Sequence, residues 1–277
     1  VRLDKRRNAY RPDLADARLK GRVSAGHFVE GQAARIAAPV SAMRAADDAY
    51  AALSSELLYG ETVVVFERRN GWAWVQNAAD AYVGYVREEH LQNAAAPTHR
   101  VCALRTTLHP TAALKSPPIG WLPMQAQVHL FEEKNGYARI DEDVWASVKH
   151  LAPLDRYDTS PLEVALRFLG TPYLWGGRSA NGIDCSGLVQ IAHAACGIAA
   201  PRDSDMQAAE LGEALPLDAE KRAGDLVFFP GHVGIMADGV RLLHANAYHM
   251  EVTIDLLEEV VARVGGAGIT ALRRLSR

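Results

Sequence analysis

Gly182-Ile183-Asp184-Cys185-Ser186-Gly187-Leu188-Val189 is the stretch on which the reading of this chain turns. Asp184 is a residue type that caps helices, because its carboxylate accepts from first-turn N–H groups that have no partner inside the helix. Cys185 then falls in the first turn. Leu188, Val189, Ala192 and Cys196 recur along one face, which predicts a helix buried on that side. A thiol at this end feels the positive pole of the peptide dipoles and lies beside unpaired N–H groups, and both favour its thiolate. Most free cysteines pack as small apolar residues, so position alone does not make Cys185 a nucleophile. A base nearby does.

The segment Ala223-Gly224-Asp225-Leu226-Val227-Phe228-Phe229-Pro230-Gly231-His232-Val233-Gly234-Ile235-Met236 supplies one. It reads as a buried strand, a Pro-Gly turn and a second strand beginning at His232. Asp238-Gly239 then turns the chain into Leu242-Leu243-His244-Ala245-Asn246. A two-residue loop there pairs His232 with Ala245 and sends His244 to the opposite face of the sheet. A three-residue loop, Asp238-Gly239-Val240, sets His244 opposite Gly234 and diagonal to His232 on the same face. The longer loop, or a bulge, is the expectation.

Upstream, Ser160-Pro161 opens a helix at Leu162 to Leu169 by the cap-then-proline rule, after a polar linker that follows Pro153. This third domain spans 158–277. Ahead of it two stretches repeat one order of elements: an apolar strand, an Asn-Gly turn, an aromatic strand and a closing strand. The first holds Thr62 to Phe66, Asn70-Gly71, Trp72 to Val75 and Tyr82 to Val86. The second holds Gln127 to Phe131, Asn135-Gly136, Tyr137 to Ile140 and Val144 to Val148. Small β-barrels over 36–94 and 98–153 follow, with residues 1–35 as an arm carrying a short helical pattern over Asp13 to Leu19. The whole is of α+β class.

Thirty Lys and Arg against 33 Asp and Glu, spread along the 277 residues, give a net charge of -3 and no basic patch for nucleic acid or an anionic membrane. No run of about 18 apolar residues spans a membrane, and the charged N-terminus has no apolar region behind it. The cytoplasm is the expected compartment; the missing initiator Met also fits an exported mature form that has lost its leader. Cys102, Cys185 and Cys196 are too few for a disulfide framework, and Cys102 and Cys196 read as structural. Zinc held by Cys185, His232, His244 and Asp225 finds no support in ligand spacing, so neither metal nor cofactor is expected. His193 reads as a surface residue and Arg202 as a solvated charge. His27, His90, His109, His129, His150 and His249 have no partner pattern.

In order, Thr171-Pro172-Tyr173-Leu174-Trp175-Gly176-Gly177, Asp184-Cys185-Ser186-Gly187, Gly224-Asp225-Leu226-Val227-Phe228-Phe229, His232-Val233-Gly234-Ile235 and His244-Ala245 resemble the NlpC family of cell-wall cysteine peptidases over roughly residues 160 to 277. The two barrels resemble the bacterial SH3-like domains that accompany such enzymes. The resemblance implies a papain-like catalytic domain with Cys185 as nucleophile, His232 as base, His244 orienting the base, and Tyr173 facing the nucleophile. It further implies cleavage between D-glutamate and a diamino acid such as diaminopimelate in peptidoglycan stem peptides. Within the subgroup that carries SH3-like domains, short recycled peptides with a free N-terminal L-alanine are the substrates. An ammonium in a partly closed pocket needs a carboxylate, because a buried unpaired charge costs several kcal/mol. Asp203 and Ser204 match the family's amine-binding stretch, and Ser186, Tyr82 and, from a loop of the first barrel, Glu56 are the added partners. The alternatives are a catalytically inert wall-peptide binder, and a Cys–His amidase or acyltransferase on another acyl donor.

Overall fold

Alternating apolar residues and paired Asn-Gly turns build the first half of the chain. The computed structural model describes residues 3–265 and 268–275, and the chain divides into two compact units, residues 1–155 and 156–277. In the first unit a seven-stranded sheet runs in the order Leu53–Leu58, Val40–Arg44, Val83–Arg87, Trp72–Asn77, Thr62–Arg69, Gln32–Ile36, Leu91–Gln92. Its inward residues, Ile36, Met43, Leu57, Val63, Val75 and Val86, form one core, as the period of two along each strand requires. The Asn70-Gly71 turn joins Arg69 to its partner Trp72, both turn residues taking positive φ. Gly84 is needed for a different reason: a Cβ there would lie 2.5 Å from the Met43 side chain.

A second barrel follows on the same plan. Gly120–Pro123, Arg105–His109, Val144–Ser147, Tyr137–Asp141 and Glu132–Lys134 form one sheet, and Gln127–Val128, His99–Val101 and Leu151–Pro153 another. Val101, Leu122, Val128, Ile140 and Ala146 fill the space between them. Asn135-Gly136 makes the same left-handed turn as Asn70-Gly71. Each barrel closes through a single 3-10 turn, Glu88–His90 or Val148–His150, into a short strand.

The arm departs from expectation in two ways. Asp13 to Leu19 is no α-helix: Leu14–Asp16 is a strand paired in parallel with His27–Val29, followed by one 3-10 turn, Ala17–Leu19, which the Asp16 side chain caps. Gln32–Ile36 pairs with Thr62–Val65, so the arm's last residues are a strand of the first barrel. The side-chain period that reads as helical lacks the length a stable helix needs, and strand pairing takes its place.

The second unit opens on α1 (Pro161–Leu166), capped by Ser160, whose hydroxyl accepts the Glu163 N–H at 3.3 Å. Helix α2 (Cys185–Ala195) and helix α3 (Ser204–Glu210) follow. A six-stranded sheet comes next: β1 (Glu213–Leu215), β2 (Leu226–Phe229), β3 (His232–Met236), β4 (Arg241–Asn246), β5 (Glu251–Leu256) and, after α4 (Leu257–Val264), β6 (Ala271–Arg274). The strand order is β1-β6-β2-β3-β4-β5, antiparallel throughout. Val260 of α4 packs with Val227, Phe229, Met236, Leu242 and Leu272 on one face, and α2 packs against β3 and β4. The four apolar residues of β2 are all buried, as expected for a strand covered on both faces.

Candidate active site

Asp184 organises the site. It caps α2, its Oδ1 accepting the Gly187 N–H at 2.7 Å and the Ser186 hydroxyl at 3.2 Å. Its Oδ2 accepts the Gly176 N–H at 2.8 Å and so ties the Trp175-Gly176-Gly177 turn to the helix start. Arg202 completes the set with a fork: Nη1 to Oδ1 at 3.0 Å, Nη2 to Oδ2 at 2.6 Å, and Nη1 to the Ser186 hydroxyl at 2.8 Å. Arg202 is 1% exposed, which corrects its reading as a solvated charge. The carboxylate sits 18 residues away in sequence, and burial of both ions requires the bidentate geometry found here.

Cys185 stands at the first position of α2, 7% exposed. The backbone N–H groups of Val233, the residue after His232, and of Ser186 favour its thiolate. Tyr173, held by Ile183 and by the Met250 carbonyl, couples electrostatically to the same sulfur. The nucleophile candidate, the start of β3 and the family-type tyrosine thus converge. Burial pushes the Cys185 thiol up to about 12, with the Asp184 carboxylate adding to the rise; N–H groups from Val233 and Ser186 and the Arg202 charge only partly oppose it. The thiolate favoured by position at a helix start is therefore not the resting form: desolvation outweighs the dipole. Burial likewise raises Tyr173 to about 12.

His232 and His244 meet in the register expected of the longer loop. Ile235 pairs with Leu243 and Met236 with Leu242, and the Ala237 N–H donates to the Arg241 carbonyl across Asp238-Gly239-Val240. Asp238 sets that loop by accepting from the Val240 and Arg241 N–H groups at 2.9 and 2.8 Å. His232 Nε2 lies 2.8 Å from His244 Nδ1. Burial pushes His232 down to about 4, reinforced by His244 and opposed by Asp184. Burial also lowers His244, against the raising effect of Asp255. The resting site is therefore a neutral thiol beside neutral imidazoles.

Asp255, Arg263 and His249, which no sequence pattern ties to the site, belong to this region. Asp255 Oδ2 lies 3.4 Å from His244 Nε2 and 3.2 Å from His249 Nε2, and the Arg263 guanidinium bonds the same oxygen. His249 thus acquires a partner that no local pattern signals. His193 is 1% exposed, its Nδ1 2.7 Å from the Val189 carbonyl, and burial lowers its pKa; it is a core residue and not a surface one.

The expected binding residues fall in several places. Ser186 turns its hydroxyl inward, donating to Asp184 and accepting from Arg202. Asp203 is the N-cap residue of α3 without capping it through its side chain, and Ser204 begins that helix; both are half-buried. Tyr82 packs in the core of the first barrel, and Glu56 lies buried within Leu53–Leu58, opposite Ala42. Glu56 is therefore a strand residue and not a loop residue. Asp225, weighed as a zinc ligand, is taken by Arg274 through two 2.7 Å bonds and by the Arg222 N–H at 2.8 Å. Among the described residues no group of three or more His, Cys, Asp or Glu is arranged for a metal ion.

Known proteins share these features. Residues 170–263 match the NlpC/P60 family, and residues 43–91 match the bacterial dipeptidyl-peptidase Sh3 domain. A gamma-D-glutamyl-L-lysine dipeptidyl-peptidase of Bacillus subtilis (strain 168) is 26% identical over 235 residues, covering 76% of this chain and 77% of that protein. Dipeptidyl-peptidase 6 of Lysinibacillus sphaericus is 37% identical over 98 residues, 35% of this chain and 36% of its own length. Among solved structures, an NlpC/P60 family protein from Bacillus cereus ATCC 10987 has a TM-score of 0.75 at 19% identity, covering 88% of this chain and 99% of that one. The α+β class and the SH3-like and NlpC-type resemblances hold.

Proposed function

The chain being a cysteine peptidase of the NlpC/P60 family with a bacterial dipeptidyl-peptidase SH3 domain ahead of its catalytic part, we propose that it hydrolyses the amide between γ-D-glutamate and a diamino acid in short peptidoglycan peptides. The observation that carries the chemistry is the 2.8 Å contact between His232 and His244, next to a residue, Val233, whose N–H favours the Cys185 thiolate. The substrate class is supported by the name of the Bacillus subtilis relative, a gamma-D-glutamyl-L-lysine dipeptidyl-peptidase.

Cys185 Sγ attacks the γ-carbonyl carbon while His232 takes the thiol proton, because a neutral thiol needs its base at the moment of attack. The carbonyl oxygen becomes an oxyanion, for which the Cys185 N–H at the helix start is the donor in place. The tetrahedral centre expels the diamino acid's nitrogen, which takes the proton from His232, and a thioester remains. Water deprotonated by His232 then hydrolyses the thioester and restores the thiol. Asp203 is the proposed partner of a free N-terminal ammonium, with Ser204 beside it at the start of α3. A role in recycling trimmed peptides, with the cytoplasm as the expected compartment, is part of the same proposal.

The test is hydrolysis of L-Ala-γ-D-Glu-L-Lys and of its diaminopimelate counterpart by the whole chain and its Cys185→Ala variant. Cleavage is expected at the γ-glutamyl bond, with a loss of about a thousandfold or more on substitution. A chain that cuts neither peptide, or a variant that keeps the activity, overturns the reading. Acetylating the alanine amine, or the substitution Asp203→Asn, is expected to raise KM more than it lowers kcat; equal KM values remove Asp203 from the amine site.

A further inference from the structure

His244 has a partner at each ring nitrogen, and the two partners are chemically unlike. Nδ1 faces His232 Nε2 at 2.8 Å, and Nε2 faces Asp255 Oδ2 at 3.4 Å. An imidazole can donate or accept at either nitrogen, but a carboxylate only accepts. The Asp255 side chain is 8% exposed and is bonded by Arg263 of α4 as well as approached by His249. Burial pushes its pKa up, yet the bonds from Arg263 and His244 outweigh burial and hold the carboxyl below its ordinary value. Arg263 is itself braced, its guanidinium lying 4.5 Å over the Tyr248 ring.

Register puts these groups on one face. His244 pairs with Thr253 and Leu242 with Asp255, so His244 and Asp255 are diagonal neighbours on β4 and β5, as His232 and His244 are on β3 and β4. We infer that Asp255 is a positioning residue that fixes the tautomers of both histidines and thereby makes His232 a competent base. This rests on the reading of Cys185 and His232 as nucleophile and base.

The proton count runs along the chain of contacts. A neutral imidazole carries one N–H, and Asp255 requires that of His244 on Nε2. His244 Nδ1 is then a bare lone pair, and it accepts from His232 Nε2–H. His232 keeps its own lone pair at Nδ1, the nitrogen left for the thiol proton. With the opposite tautomer, His244 donates from Nδ1 and forces the His232 proton onto Nδ1, where no proton from sulfur can be received. When His232 takes the thiol proton it becomes an imidazolium with N–H at both nitrogens. The contact to His244 is kept; Asp184 opposes the cost of that charge and His244 adds to it, while Asp255 acts one step back, on His244, against Arg263 and His249.

The experiment is long-range 1H–15N correlation spectroscopy of the full chain labelled at histidine, at neutral pH, beside steady-state kinetics on L-Ala-γ-D-Glu-L-Lys. In the wild type, Nε2 is expected to be protonated and Nδ1 bare in both His232 and His244. Asp255→Asn, which keeps the volume, is expected to give mixed tautomers at His244 and a kcat lowered about tenfold or more with KM within about twofold. A wild-type His244 protonated at Nδ1 overturns the inference, and so does an Asp255→Asn variant that keeps both the tautomers and the kcat. If the variant fails to fold, the wild-type spectrum still decides. Wild-type chain with the expected tautomers and no turnover of the peptide removes the proposed substrate and leaves the inference standing.

Discussion

Arg202 shows how much can hang on a side chain whose neighbours in sequence say little. Beside Asp203 it reads as one more surface charge; in the fold it is enclosed and forks onto Asp184 and Ser186. Removing it leaves Asp184 as a buried charge short of its counter-ion, so Arg202→Met is expected to destabilise the catalytic unit by about 3–5 kcal/mol, read from urea unfolding. A loss below about 1 kcal/mol means that the fork contributes little beyond a surface pair. Cys185 is legible because its signals are local: a cap, a helix start and an apolar stripe between Asp184 and Cys196. Arg202, Asp255 and His249 are not, since each takes its role from a partner brought close by packing. The ionisation of Cys185 was misread for the same reason. The dipole is written into the helix start, but the depth of burial is not.

At the scale of elements, α2 and the turn before it make backbone contact through glycine. A Cβ added at Gly187 would lie 2.3 Å from the Gly177 carbonyl oxygen and 3.0 Å from Asp184 Oδ1; the first is backbone, and the second is pinned by Ser186 and Arg202. Gly187→Ala is therefore expected to lower stability by about 1–3 kcal/mol and to cut turnover by shifting the Cys185 turn, checked by a thermal melt and a kinetic assay on one sample. An unchanged melt shows that the helix start moves freely. The β3–β4 hairpin was half legible. Its existence followed from Asp238-Gly239 between apolar runs, but two loop lengths were open, and the Asp238 bonds to Val240 and Arg241 are what select the longer. The repeat of two barrels was clear because paired Asn-Gly turns survive in both copies. The arm was misread because a helix-like period over seven residues is too short to outweigh strand pairing.

For the molecule as a whole, the buried titrating groups set a window of pH. His232 is held down to about 4 against an ordinary 6.5, so the unfolded chain binds more protons than the folded one between those values; His193 and His244 act in the same direction. Stability is then full above about 6.5 and is lost as pH falls toward 4. Cys185, raised to about 12 from an ordinary 9.0, acts in the opposite sense: its contribution is present below 9.0 and is lost as pH rises toward 12. The melting temperature is expected to be flat between about 6.5 and 9 and to fall on both sides; a fall on the acid side that begins only below pH 4 removes the histidines as its cause. The neutral thiol has one more consequence. Peroxide and alkylating agents react with thiolate, so a sulfur kept protonated and 7% exposed is a poor target. The same burial that withholds the charge is thus expected to slow the oxidation and alkylation of the sulfur.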